Sequence, residues 1–297
     1  MQSGRLLKDR LAGRLMLVLT IFSGLIVFLM AIGLYQRSRP ILAIKSLGEL
    51  LFSSSWHPSR GEFGFFPFIM GSLCVTGAAV AIAIPLCLLT AIYLSEYASR
   101  YVREWTKPLI DLLSGIPSVI YGAWGVLVIV PLIKDHIAPF LGASSSGYSV
   151  LAGGIVLAIM IFPVIIHVCV EVFGSVPYGL REASLSLGAT KWQTTKHVVV
   201  RKAMPGVIAA VVLGLSRAFG ETMAVLMVAG NVAKVPSSVL EPAYPLPALI
   251  ANNYGEMLSV PLYDSALLLA SMILLLVVLF FNVIARIVLM RVERGIQ

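Results

Sequence analysis

Two ionisable residues stand inside a run that otherwise carries none. Arg217 and Glu221 lie in the sequence Leu213-Gly214-Leu215-Ser216-Arg217-Ala218-Phe219-Gly220-Glu221-Thr222-Met223-Ala224-Val225. An arginine presents a planar fork of N–H donors that matches an oxyanion such as phosphate. A carboxylate four residues on falls on the same face of a helix, so the two charges can offset one another. Arg217 is twelve residues beyond Pro205, about 18 Å along a helix, which places it near the middle of a bilayer. Each such charge costs roughly 2.5–3.5 kcal/mol to insert. A structural ion pair is one reason to keep both. A role in a polar pathway is the commoner one.

The elements that must hold this pair are membrane helices. Of 297 residues, 59% are apolar and 12% charged, with a mean hydropathy of +0.95. Soluble domains carry about 25% charged residues. A span needs about 20 mostly apolar residues, and six stretches qualify: Leu15–Tyr35, Pro67–Leu94, Ser118–Ile133, Ser149–Val170, Pro205–Gly230 and Ser265–Leu289. The first follows Arg5, Lys8, Arg10 and Arg14. It is longer than a signal-peptide core and lacks a small-x-small cleavage site, so it reads as a retained signal-anchor over residues 1–35. Pro85 predicts a kink in the second span, and Gly115-Ile116-Pro117 a broken start to the third. The expected fold is all-α, a single membrane domain over 1–297 with its core over 67–290.

Lysines and arginines set the orientation. With the N-terminus inside, fifteen fall in inner segments and six in outer ones, Arg217 being the remaining one of 22. This predicts both termini in the cytoplasm. The net charge of +8 is dispersed between apolar runs, which argues against nucleic acid. Cys74, Cys87 and Cys169 show no ligand spacing, and the histidines His57, His136, His167 and His197 are scattered. Outside the membrane, residues 36–66 carry Trp56 and the cluster Phe63, Phe65, Phe66 and Phe68. These read as an interfacial aromatic belt or as an amphipathic outer helix near a docking surface. Residues 231–263, rich in Pro and Asn, are expected to loop over the outer face.

No phosphate-cradling P-loop, zinc-binding His-Glu-x-x-His helix or Gly-x-Ser-x-Gly elbow occurs, so no cofactor or metal is expected and the chain is not expected to hydrolyse a nucleotide itself. The loop between spans four and five, about residues 175–205, is more informative. Pro177 favours a helix start, Glu182–Leu187 suit a short helix, and Gly188 suits its stop. Too short to span, with small residues on its faces, it admits the close approach of a partner or lies as an ordinary interfacial helix.

Glu182-Ala183-Ser184 followed by Gly188 resembles the Glu-Ala-Ala, three residues, Gly signature of ABC importer permeases. Ser184 stands for the second Ala, and Val200-Arg201 for the usual Leu-Pro. The resemblance narrows to the C-type permease subunit of phosphate-specific ABC importers. Four segments carry it: Trp56-His57-Pro58 with residues 63–71, Gly115-Ile116-Pro117-Ser118-Val119-Ile120-Tyr121-Gly122, residues 152–161, and the Arg217–Glu221 run with Asn231 after it. The A-type partner subunit is similar in its loop and its Arg–Glu pair.

The resemblance implies a type I (MetI-like) permease fold in a bacterial inner membrane. Its implied partners are a dimeric cytoplasmic ABC ATPase, a second permease of the A type and an extracytoplasmic phosphate-binding protein, with inorganic phosphate as substrate. Glu182, Ala183, Ser184 and Gly188 would couple to the ATPase. Arg217 would contact or gate phosphate with Glu221 as its partner, Ser118 and Thr222 would line the pathway, and Pro117 would shape the start of span three. Other oxyanions such as sulfate, molybdate or phosphonate remain as alternatives within the class.

Overall fold

The computed structural model describes residues 2–256 and 259–294. Met1, Met257, Leu258 and residues 295–297 lie outside it, as do the side chains of Arg5, Lys8, Arg10 and Arg294, which enter the charge count above. Helix α1 (Gln2–Ile44) leads to a short α2 (Leu47–Phe52) and a two-stranded hairpin, β1 (Trp56–His57) and β2 (Glu62–Phe63). Then follow α3 (Phe66–Tyr97), α4 (Arg100–Gly115), α5 (Ser118–Phe140), α6 (Val150–Gly174), α7 (Tyr178–Ser186) and α8 (Lys191–Phe219). A six-residue α9 (Met223–Val228), α10 (Leu246–Asn253) and α11 (Tyr263–Arg294) complete the chain. Among the described residues, six helices are long and apolar enough to cross a membrane.

Several boundaries differ from the hydropathy reading: the first helix runs on past Tyr35 to Ile44, and the fifth span begins at Lys191 rather than Pro205. The third span continues past Ile133 to Phe140. Hydropathy stops at Lys134-Asp135-His136, yet the helix runs on through widened turns at Gly125–Ile129 and Ile133–Ile137, beside Pro131 and Pro139. Proline removes one ladder hydrogen bond, and a widened turn absorbs the mismatch. The fifth span does not run unbroken to Gly230. It ends at Phe219 and restarts at Met223.

The core is built where α3, α6 and α8 meet. Val75, Ala79, Ala83 and Cys87 of α3 pack with Leu157, Ile161, Ile165 and Cys169 of α6 and with Ala203, Val207 and Ala210 of α8. Small residues let membrane helices approach closely. A Cβ on Gly206 would stand 2.5 Å from Val172, and one on Gly214 would stand 2.6 Å from Ile165, so both glycines set the α8–α6 spacing.

A second cluster gathers the segment between the first two long helices and corrects the aromatic-belt reading. Phe63, Phe65 and Phe68 are buried with Ile41, Leu50, Leu249 and Leu267. Trp56 meets Phe68 and Phe63 edge-on, with centroids 4.9 and 5.7 Å apart, the arrangement the ring quadrupoles favour. Hairpin pairing of Trp56 with Phe63 and of His57 with Glu62 turns these rings inward. Of residues 36–66, the first nine continue α1 to Ile44 and bury Ser38 and Ile41, and the rest form the six-residue α2 and the hairpin. Residues 231–263 are not all loop, since α10 lies within them and buries Leu246, Ala248 and Leu249.

Candidate functional site

The break in the fifth span decides the geometry of the charged pair. Backbone N–H groups of Gly220 and Glu221 turn back to the carbonyls of Arg217 and Ala218 at 3.2 Å each, tightening the last turn of α8. Thr222 Oγ1 donates to the Gly220 carbonyl at 3.3 Å. Glu221 Oε1 accepts from Ala224 N at 3.4 Å and so faces the start of α9. The four-residue spacing therefore does not act as a helical one. Among the described residues, the ion pairs do not join Arg217 to Glu221.

Each residue has its own surroundings. Glu221 is half-buried in a narrow cleft between α3 and the Pro245–Pro247 segment, beside Ser72, Thr76 and Phe219. Ser72 stiffens that wall by donating to the Phe68 carbonyl and accepting from Leu246 N at 2.8 Å. Arg217 occupies the last turn of α8, where the helix dipole favours a cation, and its side chain is exposed on this chain. The Tyr121 hydroxyl of α5 donates to the Leu113 carbonyl of α4 at 2.7 Å. Ser118, half-buried, starts α5 one turn earlier. Thr222 and Glu221 thus line the break, Arg217 precedes it, and Ser118 stands apart at the head of α5.

At the other end of α8, the loop forms the expected helix, somewhat longer. Pro177 caps α7 rather than entering it, and Gly188 sits at φ +84°. Ala189 N bonds the Ser184 carbonyl and Gly188 N the Leu185 carbonyl, the paired closure that a left-handed residue permits. Thr190 and Gln193 then cap α8 reciprocally, at 3.2 and 2.8 Å. The Thr-x-x-Gln spacing is a legible capping box that the reading of the loop passed over. Glu182 and Ala183 are exposed, and Leu187 is 90% exposed. Ser184 points the other way, its hydroxyl 2.9 Å from that of Thr194, so it fastens α7 to α8.

Sequence reasoning also missed a clasp beneath the loop. Arg181 bonds Glu96 twice, Nη2 to Oε1 at 2.8 Å and Nε to Oε2 at 3.2 Å. The side chains are 13% and 10% exposed. Arg181 also donates to the Phe173 carbonyl at 2.8 Å and to that of Val176. Arg103 donates to the carbonyls of Leu94 and Ser95 at 3.1 and 2.8 Å, and Lys191 stands 4.6 Å over the Tyr97 ring. The available signal was Glu96, an acid at the end of a long apolar run. Its partner is 85 residues away and no local pattern points to it. On the opposite face, Glu241 accepts from Ser237 N and Oγ, both at 2.9 Å, and these bonds hold its carboxyl below the usual range.

The described residues contain no cluster of three His, Cys, Asp or Glu side chains that could hold a metal ion. The family described as "Binding-protein-dependent transport system inner membrane component" matches residues 83–294. The chain belongs to this family. A phosphate transport system permease protein PstC of Xylella fastidiosa is 37% identical over 278 residues, covering 89% of this chain and 85% of that one. The probable phosphate transport system permease protein PstC of Methanocaldococcus jannaschii is 32% identical, covering 89% and 88%. Among solved structures, a permease chain of a bacterial alginate ABC transporter aligns with a TM-score of 0.62 at 18% identity, covering 94% and 93%. A chain of the MetNI methionine ABC transporter aligns at 0.54, covering 75% and 93%. The fold is that of a type I importer permease, a multi-pass membrane protein.

Gly188 offers a test of the loop. No atom lies within 4 Å of the Cβ that a substitution would add, so nothing in this chain clashes with it. The cost is the left-handed backbone, roughly 1–2 kcal/mol for most residues and less for Asn. Gly188→Val is expected to lower coupled transport several-fold while Gly188→Asn largely retains it, measured as uptake per ATP hydrolysed. Equal behaviour of the two variants overturns a role for the left-handed turn.

Proposed function

We propose that the chain is the C-type permease subunit of an ATP-driven importer of inorganic phosphate. The observation that carries this reading is the 37% identity, over 89% of the chain, to a phosphate transport system permease. An arginine exposed in the last turn of a membrane-spanning helix, just ahead of the break at Gly220, is consistent with it. A charge within a membrane span faces protein or water rather than lipid, and on this chain Arg217 is exposed. The fifteen-to-six distribution of basic residues supports both termini in the cytoplasm, which puts α7 on the cytoplasmic side.

In this reading, a second permease of the A type completes the pathway across the Arg217 face. Arg217 contacts the oxyanion, and Glu221, Thr222 and Ser118 border its route. An extracytoplasmic binding protein delivers phosphate to the outer hairpin. A cytoplasmic ABC ATPase dimer grips the exposed side of α7 at Glu182, Ala183 and Leu187, and hydrolyses ATP on behalf of the permease. Alternation between states follows from the different contacts each ligand makes in each.

Copurification tests the assembly and radiolabelled uptake the substrate. The tagged chain is expected to bring down one ATPase and one homologous permease, and proteoliposomes of that complex are expected to take up phosphate in preference to sulfate or molybdate. Preferential uptake of either of those moves the assignment to another oxyanion. Recovery of the chain without an ATPase overturns the class.

A further inference from the structure

Beneath the coupling loop lies a cleft of about 510 Å3, bordered by the end of α3, by α4, by α7 and by the start of α8. That is far more than the ~30 Å3 share of one water. Three cations from three helices line it: Arg103 of α4, Arg181 of α7 and Lys191 of α8. Its one acidic lining residue, Glu96, is bonded twice by Arg181, which leaves Arg103 and Lys191 without an acidic partner in the cleft. Arg103 uses Nε and Nη2 on carbonyls, and among the described residues nothing bonds its Nη1. Lys191 rests over an aromatic ring with its ammonium donors available. The exposed Tyr178 hydroxyl borders the same space.

We propose that this cleft binds a phosphate group from the cytoplasmic side, separately from the transport pathway, and that binding slows the transporter. The side assignment rests on the topology proposed above. Clustered N–H donors with net positive charge suit a multiply charged oxyanion, either free phosphate or the headgroup of an anionic lipid. A ligand held between Arg103 and Lys191 also touches α7 through Tyr178. It therefore favours the arrangement seen here over any in which α7 has moved, and a ligand shifts an equilibrium toward the state it binds better. A product that accumulates inside would thereby restrain its own import.

The assembled complex in phosphatidylcholine vesicles gives the test, with α7 facing the bath. Hydrogen exchange of the α7 amides is followed as inorganic phosphate is added, and in a second arm with phosphatidic acid in the bilayer and no free phosphate. Protection is expected in one arm, which identifies the source. Lys191→Gln, which leaves the Arg103 bonds intact, is expected to weaken it about tenfold, from the loss of one charge-assisted bond. ADP production under the same titration is expected to fall for the parent and to fall less for Lys191→Gln; inhibition common to both belongs to the ATPase. This exchange readout needs no transported substrate, so it stands whichever oxyanion the permease carries. No protection in either arm, or protection equal in parent and variant, overturns the proposal.

Discussion

Arg217→Gln is expected to abolish phosphate uptake while leaving the complex assembled. The side chain is exposed on this chain, whereas the residues that follow it, Ala218 and Phe219, are buried, so the substitution removes charge without emptying the core. A hydrogen bond to a charged group contributes about 1.5–3 kcal/mol, which corresponds to a loss of roughly ten- to 150-fold. Lysine keeps the charge but not the fork, so Arg217→Lys is expected to fall between. The break at Gly220 adds a sharper discrimination. Were Arg217 and Glu221 a structural ion pair, removing both charges would repair what removing one damages. With Glu221 turned to its own cleft, the Arg217→Gln/Glu221→Gln double variant is expected to remain inactive. Recovery of uptake in that double variant, measured in proteoliposomes at equal complex density, sinks the pathway role and restores the pair.

That discrimination marks where sequence reading runs out. Hydropathy integrates over about 20 residues, so it registers six spans and is insensitive to three residues of broken helix at Gly220–Thr222. Glycine in a membrane run is equally a packing residue, as Gly206 and Gly214 are. Periodicity cannot separate the two cases, because the difference lies in what α3 and the Pro245–Pro247 segment present to Glu221. The loop helix was legible because its determinants are local: Pro177 before it, Gly188 after it. Ser184 illustrates the opposite. Its place in the signature suggests the docking face, but the register of α7 against α8 turns it to Thr194. The aromatic cluster was misread for a related reason. Aromatic residues near a membrane boundary suit a belt and a core equally, and only the strand pairing of Trp56 with Phe63 decides between them.

The Arg181–Glu96 clasp should matter most for coupling. Taking two charges out of water is expensive, and their attraction repays it only with good geometry and further hydrogen bonds. Here the contact is bidentate, and Arg181 has two carbonyl acceptors besides. Removing one partner strands the other, at a cost of about 3–5 kcal/mol. Glu96→Gln or Arg181→Met alone is therefore expected to loosen α7 from the end of α3, so that ATP hydrolysis continues with little uptake. Arg181→Lys should not rescue it, since an ammonium cannot span both carboxylate oxygens. Replacing both partners by apolar residues of similar volume, Glu96→Leu with Arg181→Met, removes the stranded charge. The thermal midpoint is expected to recover in that pair, because well-packed apolar substitutes for a buried ion pair are often neutral. Uptake per ATP should recover with it if the clasp acts as a rigid strut. If the midpoint recovers and uptake does not, the ion pair itself must open and close during the cycle. If neither single variant shifts the midpoint or the ratio, α7 is held by its caps and by the Ser184–Thr194 contact alone, and the clasp carries none of the coupling.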